Sequence, residues 1–83
     1  MYLEIITPEN KLFAGEVDLV KLPGTSGSFE ILMNHAPLIS TLMEGKIKVK
    51  ESNGKISYFE IKGGVAQVKN SNIIVLVDSS GIA

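Results

Sequence analysis

One stretch leaves the fewest options open. Lys46-Ile47-Lys48-Val49-Lys50 alternates polar and apolar residues without a break, and Lys55-Ile56-Ser57-Tyr58 resumes the alternation after Ser52-Asn53-Gly54. Successive side chains of a strand point to opposite faces, so a period of two is the mark of a half-buried strand. Asn-Gly readily takes the positive φ values of a two-residue type I′ turn. Residues 46–51 and 55–62 are therefore expected to form a hairpin. Tyr58 and Phe59 are adjacent, which shifts the phase; a bulge there would absorb the slip.

The same grammar runs along the rest of the chain. Leu3, Ile5 and Ile6 open a strand that ends at Thr7-Pro8, because proline lacks an amide donor for a central ladder. A short segment, Lys11 to Gly15, is followed by a β-rich one, Glu16 to Leu22, that stops at Pro23-Gly24. Gly27 to Leu38 reads as a loop between two apolar strands and carries the single histidine, His35. Between Asn34 and Gly45 two readings fit: a helix begun by Pro37 with Leu38, Ile39, Leu42 and Met43 on one face, or a strand from Leu38 to Leu42. Val65 to Lys69 and Ile73 to Val77 are strands about an Asn70-Ser71-Asn72 turn. Ile73-Ile74-Val75-Leu76-Val77 is apolar at every position, so both of its faces should be covered. Strands recurring every 8–12 residues with turn residues between them indicate an all-β sandwich or barrel.

Eighty-three residues form one domain, 1–83, with room for one modest core and little for a deep enzyme cleft. The formal net charge is −1 with lysines and acids scattered, which argues against a nucleic-acid or anionic-lipid binder. There is no cysteine, which removes disulfides, thiolate nucleophiles and cysteine-based zinc sites together. No apolar run approaches the roughly 20 residues that span a bilayer. No signal peptide is expected from Met1-Tyr2-Leu3-Glu4, so a membrane role would depend on a partner.

Catalysis finds little support. His35 is the obvious base, but Ser28, Glu30 and Ser40 form no recognised motif with it. One histidine with scattered carboxylates has no metal-ligand spacing. Pro23-Gly24-Thr25-Ser26-Gly27 lacks the Gly-Lys-Ser/Thr ending of a phosphate loop and reads as a turn. Phe13, Phe29, Ile31 and Leu32 read as core, or in part as an exposed binding patch. Two other classes fit the sequence less well. A free-standing β-sandwich module for carbohydrate or peptide would need exposed aromatics, and the chain has no tryptophan. A small hydrolase would have to centre on His35.

The chain resembles the epsilon subunit of F-type ATP synthases. The matching residues are Leu3-Glu4-Ile5-Ile6-Thr7-Pro8, Leu12-Phe13-Ala14-Gly15-Glu16-Val17, Leu22-Pro23-Gly24 with Gly27, Asn34-His35-Ala36-Pro37-Leu38, Gly45 with Ile47, Gly63-Gly64, and Ile73 through Asp78. His-Ala-Pro-Leu is the most specific of these. The resemblance implies a ten-stranded β-sandwich, or flattened barrel, of two five-stranded sheets, and it favours the strand at Leu38 to Leu42. It implies a non-catalytic rotor subunit without a cofactor, wedged between the gamma subunit and the c-ring. As part of the synthase it would lie peripherally on the cytoplasmic side of a bacterial inner membrane.

By this resemblance His35, Ala36, Pro37, Leu38 and Ser40 face gamma, and Gly27, Ser28, Phe29 and Glu30 meet the c-ring loops. Two positions depart from the family pattern: many members have glycine in place of Glu30 and proline in place of Met33. Typical members continue into a C-terminal helical hairpin that inhibits hydrolysis and, in some, binds ATP. This sequence resembles the short members that lack it, so no C-terminal helical domain, hairpin-based inhibition or nucleotide binding is expected.

Overall fold

The alternation in the sequence is realised as strand throughout. A computed structural model describes residues 1–34 and 36–78, and these contain eight strands and no helix. They are β1 (Tyr2–Ile6), β2 (Lys11–Gly24), β3 (Gly27–Ile31), β4 (Leu38–Leu42), β5 (Gly45–Glu51), β6 (Ile56–Ile61), β7 (Gly64–Lys69) and β8 (Asn72–Val77). All pairings are antiparallel except β1 with β8.

The architecture is a β-sandwich organised by β2. Its first half pairs with β1, and β1, β8, β7 and β4 follow in order. Its second half lies between β5 and β3, with β6 beyond β5, and Gly24 at its end bridges back to Leu42 of β4. Ten strands in two sets of five were expected; the described residues give eight, and segments 11–15 and 16–22 are one 14-residue strand. The extra residue that bends this strand is Asp18, in a register shift between Val17 and Leu19. A bulge unpairs one residue and increases local twist, which lets a single strand leave one layer and enter the other.

Leu3, Ile5, Val20, Leu22, Ile31, Ile47, Val49, Ile73 and Val75 are fully buried between the layers. The one buried polar residue among those described, Thr7, is satisfied in the β1–β2 turn. Its Oγ1 accepts from the Asn10 amide at 2.9 Å, and its own amide donates to the Asn10 carbonyl at 2.8 Å.

Four other expectations are corrected. Gly27–Ile31 is a strand hydrogen-bonded to β2, not a loop; Val20 pairs with Ile31 and Gly24 with Gly27, making a tight hairpin about Thr25-Ser26. The 46–62 hairpin forms, but its turn is not type I′. The Gly54 amide donates to Glu51, and Gly54 alone has positive φ (91°), whereas Asn53 does not. That is a three-residue connection with glycine in the left-handed position. The paired positive φ values of a type I′ turn occur instead at Asn70 (49°) and Ser71 (66°), between β7 and β8. No bulge interrupts β6: the register with β5 is continuous, so Phe59 and Ile61 point inward while Ile56 and Tyr58 stay exposed.

The fourth correction concerns β8. Ile73, Val75 and Val77 are buried, but Ile74 and Leu76 on the other face are 37% and 52% exposed. Among the described residues, only one face of this all-apolar strand is fully covered.

Two predictions follow from this register. Ile73→Ala should cost about 2–5 kcal/mol in urea unfolding, as buried truncations do, and the adjacent Ile74→Ala less than about 1 kcal/mol. Equal losses would mean that the register of β8 is wrong. Gly64 approaches β8 so closely that an added Cβ would strike the Leu76 carbonyl oxygen, whereas at Gly63 the nearest atom is 3.5 Å away. Gly64→Ala should therefore lose about 1–3 kcal/mol and Gly63→Ala much less, read by thermal or urea denaturation.

Candidate partner interface

The candidate residues separate between the two layers. His35 lies outside the described residues. Ala36 and Pro37 are exposed just before β4. Within β4 the alternation puts Leu38, Ser40 and Leu42 on the inner face: Leu38 packs against the core, and the Ser40 hydroxyl donates to the Thr41 carbonyl at 3.1 Å. The outward positions are Ile39 and Thr41, and Ile39 is 75% exposed. Of the second set, Gly27, Ser28 and Glu30 are exposed on β3. Phe29 is half-buried against the core, its ring over Gly24. Beyond β3, Leu32 and Met33 are exposed and Asn34 turns the chain with φ 68°.

The register assembles the outward side chains of β1, β8, β7 and β4 into cross-strand rows. Ile6, Leu76, Val65 and Thr41 form one row; Glu4, Ile74, Gln67 and Ile39 form the next. Opposed side chains on neighbouring strands lie about 5 Å apart, so these residues make a continuous surface. A groove of about 530 Å³ flanks it at Ile6, Pro8, Val65 and Leu76, and another of about 470 Å³ at Pro37, Ile39, Gln67 and Lys69. The outer face of the other layer mixes charges with exposed apolar residues: Lys21 opposes both Glu30 and Lys48, Lys46 opposes Glu60, Lys48 opposes Tyr58, and Lys50 opposes Ile56. Among the described residues the one ion pair on that face is Lys46–Glu60, at 4.0 Å. No three histidine, aspartate or glutamate side chains among the described residues converge to hold a metal ion.

Comparison with known proteins places this sandwich in a family. The family profile of the ATP synthase delta/epsilon chain β-sandwich domain matches residues 1–81. The ATP synthase epsilon chain of Caulobacter vibrioides is 41% identical over 78 residues, covering 94% of this chain and 90% of the relative.

The chain belongs to the ATP synthase delta/epsilon family.

The epsilon chain of Desulforamulus reducens is 42% identical over 78 residues, but there the match spans 58% of the relative's length. A chain of the Euglena gracilis mitochondrial ATP synthase, from an assembly of OSCP, F1 and c-ring, shares the fold. Its TM-score is 0.81 at 19% identity, covering 90% of this chain and 48% of that one. A chain from the central stalk and c-ring of the Tetrahymena thermophila mitochondrial ATP synthase gives 0.78 at 19% identity, covering 95% of this chain and 63% of that one.

Within this epsilon-type sandwich, sequence reasoning missed Ile39, Val65, Ile74 and Leu76 as surface residues. The signal is the uninterrupted apolar run of β8, which calls for cover on both faces. The charged member of the surface, Glu4, is held by Lys11, whose Nζ lies 2.8 Å from Glu4 Oε2. The hydrogen bond and charge of Glu4 raise the Lys11 pKa above its ordinary value. Because the folded-state value is the higher one, this contribution is present below the unfolded lysine pKa of about 10.4 and fades as pH rises through the folded value. NMR titration of the Lys11 ammonium should give a midpoint above that of an isolated lysine, and Glu4→Gln should bring it down; an unchanged midpoint would mean the pair does not form in solution.

Proposed function

We propose that this domain is a central-stalk subunit of an F-type ATP synthase, coupling rotation of the c-ring to the gamma subunit, with no catalytic activity of its own. The observation that carries the reading is the match to epsilon chains, at 41% identity across 90% of the Caulobacter relative's length. The fold suits the task. Every strand is paired, and one strand is shared by both layers, so torque meets a hydrogen-bonded body with few independently mobile parts. Such a subunit is held at the membrane by its partners, on the cytoplasmic side of a bacterial inner membrane, and needs neither cofactor nor nucleotide.

In this reading the segment running into β4, His35 to Ser40, lies toward gamma. The exposed residues of β3, Gly27, Ser28 and Glu30, lie toward the polar loops of the c-ring, with Phe29 supporting them from the core side.

The test is reconstitution. The chain, added to F1 depleted of epsilon and to the gamma–c-ring stalk, should bind stoichiometrically and restore coupled synthesis; a folded chain that never associates with gamma would overturn the proposal. Pro37→Asp should weaken gamma binding about tenfold or more, because a carboxylate in an apolar contact must be desolvated, while leaving the unfolding midpoint nearly unchanged. Affinity equal to that of the parent would take Pro37 out of the contact.

A further inference from the structure

We infer that Asn53 is a self-modification site: its side-chain amide is lost spontaneously through a cyclic imide, at a rate set by the β5–β6 turn. The inference stands apart from the rotor reading, and its failure would leave that reading intact.

The argument begins with the attacking atom. The backbone nitrogen of the following residue must reach the asparagine Cγ, and a glycine there has no Cβ to crowd the approach. Of the asparagines, Asn53 alone precedes glycine; Asn10, Asn34, Asn70 and Asn72 are followed by Lys11, His35, Ser71 and Ile73. Asn53 and Gly54 are both exposed at the tip of the hairpin, where water has access.

The chemistry balances with water as the only co-reactant. The Gly54 nitrogen bonds to Asn53 Cγ, the Cγ–Nδ2 bond breaks, and ammonia leaves with the former Gly54 amide proton. Water then opens the ring at Cγ, giving aspartate, or at the residue 53 backbone carbonyl carbon, giving isoaspartate. Both products add a negative charge, but only isoaspartate lengthens the main chain, by one carbon.

The turn holds back both reacting groups. The Gly54 amide donates to the Glu51 carbonyl at 2.8 Å, and Asn53 Oδ1 accepts from the Lys55 amide at 2.9 Å. Attack requires release of the Gly54 proton, the same opening that exposes this amide to hydrogen exchange. The folded chain should therefore react about two- to tenfold more slowly than the unfolded one, the weight of a single hydrogen bond in an exposed turn. Aspartate at position 53 keeps an oxygen for the Lys55 amide and fits the turn. Isoaspartate does not, because its extra carbon moves Gly54 away from Glu51 and disturbs the bond from the Glu51 amide to the Lys55 carbonyl that closes the hairpin.

The intact chain, incubated at mildly alkaline pH with and without denaturing urea, tests this. Digests are read by mass spectrometry and by enzymatic methylation specific for isoaspartyl carboxylates. Residue 53 should gain one mass unit before any other asparagine, with methyl acceptance rising alongside, and both signals should be lost in Asn53→Gln. The slowing in the folded chain should match the hydrogen-exchange protection of the Gly54 amide. Asn53→Asp should keep the parent's urea midpoint, whereas the purified isoaspartyl chain should unfold at lower urea. An unmodified residue 53, or earlier loss at another asparagine, overturns the site. Equal rates in the folded and urea-unfolded chains overturn the control by the turn, and an isoaspartyl chain as stable as its parent overturns the structural consequence.

Discussion

The path of β2 is the constraint on which the rest depends. A 14-residue strand is too long for one layer of so small a domain, and this one pairs in turn with β1, β5 and β3 before touching β4. The bulge at Asp18 lets its two halves serve different layers while Val17, Val20 and Leu22 all stay in the core. The layers are therefore joined by continuous backbone as well as by side-chain packing. Relative sliding of the two would strain a covalent chain, a stiffness that side-chain contacts alone do not supply.

The closure of β2 onto β4 through Gly24 has a second consequence. The Met43 amide donates to the Pro23 carbonyl and the Thr25 amide to the Thr41 carbonyl, while Thr25 and Thr41 share a hydroxyl contact of 2.7 Å. This clasp holds the end of β4 against the end of β2, while the β4–β7 register sets the face on which Ile39 stands. In β5 the outward positions are Lys46, Lys48 and Lys50, and in β8 they are Asn72, Ile74 and Leu76.

Much of this was legible before any coordinates. The 46–62 hairpin, the β7–β8 hairpin and the break at Thr7-Pro8 follow from alternation and turn chemistry. The continuity of β2 was hidden because Gly15 and Pro23 look like punctuation. Yet Gly15 pairs normally with Leu3, and Pro23 contributes only its carbonyl to the ladder beside Met43. The strand at Gly27–Ile31 was hidden for a related reason: glycine and serine dominate its start, and only its pairing with the end of β2 makes it a strand. In the candidate site, Leu38 and Ser40 stand out as members of a conspicuous segment. Which of them points outward depends on register, and register is a relation between strands that no local pattern contains.

The sequence by itself determined that the chain is all-β, where most turns fall, that it offers no catalytic constellation, and which family it resembles, because these follow from residue period, turn propensity, residue inventory and motif. Tertiary structure alone decided that two apparent strands are one, and that Ile39, Ile74 and Leu76 share a surface with Val65. The reason is physical. A period of two says that a strand has two faces, but only the pairing of distant strands says which face meets the core and which is left for another molecule.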